Sequence, residues 1–442
     1  MVYADFVFPY LFPYYQPPIL AGGRGWVLDV LLHRSRAIYY TAIALSSWFF
    51  GVLLAGGEEQ HASCTARMES QLQHQMEISL KELQKNVIAI NAKKNCFDIR
   101  EGLAVMQSVI QMLIFEVTTA NKENWKLHLE AAIALFTKIL PDPSQFTEKL
   151  HGLYTESWPP PQMGIRRPWS TDQAALRFFG ANLLFIDIMS SITLSRRPRL
   201  AQYHESIFPS RPKNTLSAQP QPAGPLLMEE FFGLQNLVIQ LLGDVATLDA
   251  YKKEQKAAGT LHTSELASRG QALSKIIETN LSGLESMDYT QSEVDRAISV
   301  IRDPLSSLNP AALGCPNFII QNLIWWHAAS IYLNTVLYGW QPANPKICRS
   351  VSKVTELLVG VPHGRTMQAM AWPFCIAGCL APPQDHDKYR NMISRLGPLQ
   401  VFGTVQEAKQ IMELTWASKD RLGESWDIAK CLNSLGHSSL LI

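Results

Sequence analysis

The sequence is short of charge. Asp, Glu, Lys and Arg supply only 17% of its 442 residues and balance to a net +1. A DNA-gripping surface needs Lys and Arg gathered into a patch or stripe that neutralises phosphates. The basic groups here are small and scattered: Arg34 with Arg36, Arg166 with Arg167, Arg196 and Arg197 with Arg199, and Lys252 with Lys253. Direct nucleic-acid binding is therefore not expected of this chain. No C-x-x-C pair joins any of the seven cysteines, so neither a zinc knuckle nor a redox dithiol is signalled. Cys375 and Cys379, four apart, share one helical face, but two thiols do not complete a tetrahedral metal site, and no metal or cofactor is expected. Also missing are G-x-S-x-G, H-E-x-x-H and a P-loop. The Gly-rich 22–25 lacks the lysine of a phosphate cradle and reads as a turn. The first 18 residues have no positive n-region and are broken by Pro9, Pro13, Pro17 and Pro18, which excludes a secretory signal there.

What is present is apolar and aromatic. Hydrophobic residues make up 47% of the chain, with 11 Trp, 13 Tyr and 18 Phe, enough to build a large interior rather than a disordered chain. Two uncharged stretches, 37–57 and 304–345, pass a length criterion for crossing a bilayer. The first holds Thr41, Ser46 and Ser47, and the second Asn317, Gln321, Asn322, His327 and Asn334, groups that hydrocarbon penalises. Both are read as core helices, and no membrane partner is expected.

Strand alternation never persists. From Arg67 to Lys93 the apolar positions Met68, Leu72, Met76, Leu80, Leu83, Val87 and Ile90 keep the three-or-four spacing of an amphipathic helix. Helices follow over 98–118, with Asn95 or Asp98 as cap, and over 121–140, stopped by Pro141 and Pro143. A loop with Pro159, Pro160 and Pro161 covers 155–173, and Asp172 is the expected cap of a helix running to Ser195. Residues 196–226, carrying Pro198, Pro209, Pro212, Pro220, Pro222 and Pro225, read as a linker. Further helices are expected over 227–253, 264–284, 319–337, 347–358, 365–381, 404–419 and 425–435. The fold class is all-α, an irregular multi-helix array of packed helical hairpins without a fixed-period repeat. It divides into an N-terminal helical half, 1–195, the linker 196–226, and a C-terminal half, 227–442. Length alone would allow about three domains; one large helical array also fits.

Ordered segments of this chain resemble the fungal-specific transcription factor regulatory domain. They are FVFPYLFPYYQPPIL with GRGWVLDVLL, YYTAIALSSWFFG, IFEVTTANKENWKLHLEAA (114–132), FFGANLLFIDIMSS (178–191), NLVIQLLGDVATLDAYKKEQKAAGTL (236–261), WPFCIAGCLA (372–381), FGTVQEAKQIMELTW (402–416) and the closing SWDIAKCLNSLGHSSLLI. Each is a modest signal; their joint presence in order covers nearly the whole chain. In such regulators the domain follows a six-cysteine binuclear zinc cluster. Here the first cysteine is Cys64 and no cysteine array precedes the resemblance. The resemblance implies a fungal, transcription-factor-like regulator, nuclear or cytoplasmic, engaged in secondary metabolism. Without the cluster it would act through other regulator proteins, as a homo-oligomer, or by binding an apolar small molecule.

An alternative stays open: a cofactor-independent cyclase, isomerase or pericyclase whose apolar helices enclose a polyketide or terpenoid. The residues singled out for a ligand are few. Asp187, between Ile186 and Ile188, is a carboxylate in an apolar helix and needs a partner, either a tie to another element or a ligand. Asp244 borders the Leu234–Leu248 stripe, with Asp249, Lys252 and Lys253 beyond it as a salt-bridged margin. His327 follows Trp325 and Trp326 with no acidic neighbour in sequence, which suits a satisfied core histidine or a ligand-orienting donor. Trp372 begins a helix in which Pro373 fits the first turn. Asp385, His386 and Asp387, after two prolines, are expected in a solvated loop.

Overall fold

The computed structural model describes residues 2–15, 25–55, 62–93, 98–119, 124–154, 169–208, 226–286, 316–360, 365–418 and 426–442. Much of the proline-rich 196–226, nearly all of the loop 155–173 with its three prolines, the stretch 304–315, the Gly-rich 22–24, and Asn95, Cys96 and Cys315 lie outside them, as does the side chain of Cys64. The described residues are largely helical and contain no strand. Twelve principal helices order the chain: α1 (Arg36–Ala55), α2 (Ala62–Ala92), α3 (Ile99–Thr118), α4 (Asn124–Ile139), α5 (Thr171–Thr193), α6 (Asn236–Ala257), α7 (Thr263–Glu285), α8 (Pro316–Tyr338), α9 (Pro345–Gly360), α10 (Ala371–Cys379), α11 (Val405–Ala417) and α12 (Ile428–Leu432). They form two compact units that interleave along the chain. The first gathers residues 1–187, 199–232 and 397–403; the second gathers 188–198, 233–396 and 404–442.

In the first unit α1 packs on α2, and α3 on α4. Hydroxyls tie the first pair inside the core. Ser79 of α2 donates to the Ala37 carbonyl at 2.9 Å and shares a 2.8 Å hydrogen bond with Thr41. Asp98 caps α3 by accepting from the Arg100 N–H, as its position suggests. The cap of α5 differs from expectation. Ser170 and Gln173 form the reciprocal box, Ser170 N–H to Gln173 Oε1 at 3.0 Å and Gln173 N–H to Ser170 Oγ at 3.4 Å. Asp172 is instead drawn into ion pairs with Arg34 at 2.9 Å and Arg100 at 3.4 Å. The opening aromatic run finds its purpose around Phe178 of α5, whose ring meets those of Phe8, Phe12, Tyr15 and Trp26 at centroid distances of 4.8 to 5.3 Å. Arg177 beside it is buried, paired with Glu230 at 2.7 Å and laid over Trp169.

The described part of the expected linker is structured. Ala201–Ile207 is a helix, Leu200, Tyr203, Ile207 and Phe208 are buried, and the Tyr203 hydroxyl donates to the Leu140 carbonyl.

In the second unit α8 is the central helix, packed by α6, α7, α9 and α10, while α10 packs on α11. The sequence predicts one helix over 227–253; the chain breaks it into Glu229–Phe232 and α6 at Gly233, whose φ of +64° is a left-handed conformation that glycine takes without strain. The buried amide of Asn322 on α8 holds the break from both sides, donating to the Gly233 carbonyl at 2.9 Å and accepting from the Gln235 N–H at 2.8 Å. The expected 365–381 helix is likewise split, into Arg365–Gln368 and α10. The Asp385–Asp387 loop is instead the start of a helix, His386–Ser394, and His386 stacks on Trp416 at 3.8 Å.

Among the described residues, three helices are long and apolar enough to cross a membrane by length and composition: Arg36–Leu54, Ile99–Thr118 and Thr171–Thr193. Of their apolar windows, 50%, 89% and 100% are buried within the protein. The last two also bury Gln107, Gln111, Glu116, Arg177, Asn182 and Asp187.

Candidate functional site

The residues singled out in the sequence do not converge. Asp187 belongs to the first unit, is fully buried, and accepts a hydrogen bond from the Leu200 N–H at 2.8 Å, which ties the chain leaving α5 back onto that helix. The other four lie in the second unit. Asp244 is exposed on α6, yet the protein crowded around its carboxyl pushes its pKa up to about 6. Trp326 is buried and donates its indole N–H to Gln235 Oε1 at 3.2 Å. Trp372 is buried and stacks on Trp325 at 5.6 Å, with the Tyr332 ring edge-on to it. His327 is buried, and burial lowers its pKa, so the 3.5 Å approach of Glu285 to its Nε2 is that of a carboxylate to a mostly neutral ring. That acidic neighbour comes from α7, forty-two positions back in sequence, which is why no local pattern reveals it.

A cleft of about 740 Å³ opens elsewhere in the second unit. Its walls come from the end of α5, the last turns of α6 and α8, and the segment entering α12. Four lysines line it, Lys252, Lys253, Lys256 and Lys430, against two carboxylates, Asp249 and Asp427. The α6 spacing explains the first three. Positions 249, 252, 253 and 256 recur at three and four residues and so share one face.

Lys253 is the hub. Its Nζ donates to Asp249 Oδ2 at 2.9 Å and to Ser195 Oγ at 2.8 Å, and pairs with Asp427 at 2.9 Å. Burial alone would lower its pKa, but the two carboxylates outweigh that and hold it above the ordinary lysine value. Burial opposes ionisation of Asp249 and holds its pKa above the ordinary carboxyl value, although Lys253 offsets part of this. The Tyr332 hydroxyl donates to the same Asp249 oxygen at 3.4 Å. Asp427 serves a second purpose, since its Oδ1 accepts from the Lys430 N–H at 2.8 Å and caps α12. Lys252 turns to the end of α8 and donates to the Val336 carbonyl, and burial lowers its pKa. Lys256 and Lys430 stand exposed at the rim. Ser195 has φ of +51°, the one positive-φ residue other than glycine among those described. A backbone of that kind persists only where its surroundings over-determine it; here the Lys253 contact supplies part of that hold.

Sequence reasoning identified the Asp249, Lys252 and Lys253 margin but not the cleft. The partners of that margin, Ser195, Tyr332 and Asp427, are more than fifty residues away along the chain.

Among the described residues no group of three or more His, Cys, Asp or Glu side chains is placed to hold a metal ion. Cys375, Cys379 and Cys431 are buried thiols, their pKa values raised by burial, far from thiolate character at neutral pH.

This architecture defines the class: a large all-helical domain of packed hairpins. The particular family follows from comparison with known proteins. Residues 1–442 match the model of the fungal specific transcription factor domain, and the chain belongs to that family. Among its relatives, the transcription factor dibT of Pestalotiopsis microspora is 32% identical, aligned over 100% of this chain and 70% of its own length. The pestheic acid cluster transcriptional regulator 3 of Pestalotiopsis fici is 25% identical over 87% of this chain, which spans 64% of that relative. The trichothecene biosynthesis transcription regulator TRI10 of Trichoderma arundinaceum is 23% identical over 97% of this chain and 93% of its own length. All three are named as regulators of transcription, in line with the regulator reading rather than the enzyme reading. No solved structure matches the chain.

Proposed function

We propose that this chain is the regulatory body of a pathway-specific transcription regulator that controls the genes of a fungal secondary-metabolite pathway. The observation that carries this is family membership over all 442 residues, joined to relatives named for biosynthetic clusters and for trichothecene biosynthesis. In this reading the helices do not themselves grip DNA. Net charge is +1, and the four lysines around the cleft share it with Asp249 and Asp427 rather than forming a long basic stripe. Their work is to receive a signal and relay it through another regulator protein or a second copy of the chain, in the nucleus. Deleting the gene in its fungus and measuring transcripts genome-wide tests this. The expected result is a drop of about tenfold or more, a difference of about 1.4 kcal/mol in an equilibrium such as promoter occupancy, confined to one set of biosynthetic genes and restored by the intact gene. Unchanged biosynthetic transcripts under conditions where the gene is expressed would overturn it.

A further inference from the structure

We infer that Lys252, in the cleft of the second unit, is the amine that captures a small aldehyde with an apolar body as a reversible imine. The inference names the kind of signal and rests on the regulatory reading for its purpose, but not for its chemistry.

Geometry comes first. At about 740 Å³ the cleft falls in the range of ligand pockets, roughly 300–1,000 Å³. Four lysines line it, and their surroundings set them apart. Lys253 is held by two carboxylates and the Ser195 hydroxyl, which keeps it an ammonium. Lys256 and Lys430 are exposed at the rim, where water favours the charged amine. Lys252 is half-buried. Among the described residues its amine donates to the Val336 carbonyl and forms no ion pair, since both nearby carboxylates are taken by Lys253. A backbone carbonyl accepts an N–H from a neutral amine as well as from an ammonium. The contact therefore places the nitrogen without demanding its charge. The charges around it are mixed. Burial is the largest influence and disfavours the ammonium, and Lys256 and Lys253 add to that, while Asp249 and Asp427 oppose it. Asp249 is the stronger opponent, yet it is engaged by Lys253 and the Tyr332 hydroxyl, and burial weakens it as an anion. The balance lowers the Lys252 pKa. Only the neutral amine of a lysine is a nucleophile, and desolvation is one way a protein supplies it near neutral pH.

The reaction also needs protons moved. The Lys252 nitrogen attacks the aldehyde carbon, and the C–N bond forms as the carbonyl π pair moves onto oxygen. That oxygen takes one proton as the carbinolamine forms and a second as it leaves as water. The nitrogen gives up both of its own and closes the C=N bond, so no oxidant or reductant is required. Asp249 lies three positions back on the same face of α6, its carboxyl held above the ordinary value, with the Lys253 ammonium bonded to it. These two groups are on hand to pass the protons. The wall beyond them sets the class of aldehyde. Leu194, Val336, Ile428 and Trp426 line the cleft, and an apolar body laid on them removes that surface from water and shields the C=N bond from hydrolysis. A ligand joined to Lys252 thus lies between the ends of α5 and α8 and the start of α12. These segments are far apart in sequence, as a signal requires if it is to alter how they hold together.

The test uses the purified full chain with 2-naphthaldehyde as probe. Sodium cyanoborohydride reduces any imine to a stable secondary amine, and peptide mass mapping locates it. With limiting aldehyde near neutral pH, Lys252 should be labelled at least about tenfold more than Lys256 or Lys430, as a pKa difference of about one unit provides. In guanidinium chloride that preference should vanish, because the unfolded lysines are alike. Acetaldehyde, which lacks the apolar body, should need at least about tenfold higher concentration to label Lys252 equally. K252R keeps the charge and a donor for the Val336 carbonyl, and it should lose the fast label with its melting temperature unchanged. Equal labelling of Lys252 and the rim lysines in the folded chain, a preference that survives denaturation, equal potency of the two aldehydes, undiminished labelling of K252R, or no trapped adduct would each overturn the inference. The wild-type map decides the matter even where K252R fails to fold. Every one of these results is read on the purified protein and leaves the transcript experiment standing. Loss of pathway control on gene deletion would, in turn, say nothing about Lys252.

Discussion

At the scale of single residues, the polar groups set among apolar helices hold the fold together in ways that their sequence context only partly declares. Asn322 is the clearest. It lies in an uncharged helix, and its amide closes the Gly233 break through one carbonyl and one N–H. Replacing it with alanine leaves both backbone groups buried without that partner, and each such loss costs about 1–3 kcal/mol. Asn322→Ala should therefore lower the urea midpoint of unfolding, by a margin larger than that of an exposed Asn→Ala change such as Asn391→Ala. Equal midpoints would show that the break holds itself. Asp187 teaches the same lesson. Its need for a partner is legible from Ile186 and Ile188 on either side, while the identity of that partner, a backbone N–H thirteen residues on, is not.

At the scale of elements, most helices were legible because burying one face imposes a three-or-four rhythm that survives in the sequence. The Arg67–Lys93 rhythm ends within a residue of the end of α2, which begins five residues earlier at Ala62, and the start of α3 is marked by Asp98. Two of the departures, at 227–253 and 365–381, fall where rhythm continues through a backbone break. Nothing in the apolar spacing of 227–253 announces that Gly233 turns left-handed, since the stripe runs on beyond it. The site was less legible than the fold for a related reason. A cleft is made by segments distant in sequence, and α6 carries only five of its eighteen lining residues. Close packing between elements also has a sharp test. A methyl group added at Gly378 of α10 would fall 2.0 Å from the Met412 sulfur on α11 and 3.0 Å from the Tyr389 ring. Met412 can swing aside, but the ring is buried and bonded through its hydroxyl to Thr355 at 2.8 Å. Gly378→Ala should cost about 1–3 kcal/mol by overpacking, measured by thermal unfolding, and Gly378→Ala with Met412→Ala should recover part of it. An unchanged melting temperature in the single variant would mean that the two helices separate freely.

At the scale of the whole molecule, pH is the variable that sums over sites. Burial lowers the pKa of His128 and His327 and pushes His204 down to about 4. Between that value and the ordinary histidine value the unfolded chain takes up protons that the folded chain refuses, so stability rises with pH across this window and is lost as pH falls through it. Asp244 works in the opposite direction. Its raised pKa, about 6, means that its contribution is full in acid and is lost as pH rises through 6. Solvent screens that exposed carboxyl more than the half-buried His128 and His204 or the buried His327, so the histidines prevail. The melting temperature should fall steadily from pH 7 to pH 4, and His204→Gln should flatten the fall. A profile that is level over that range in the wild-type chain would contradict the account.

The interleaving of the two units has a consequence for anyone who wishes to take the protein apart. The first unit borrows 397–403 from deep in the C-terminal half, and the second begins inside α5 at Ile188 and owns the turn that carries Ser195. No single scission, wherever it is made, yields either body complete and free of segments of the other. Cutting at the prolines would strand the far wall of the cleft on the wrong fragment.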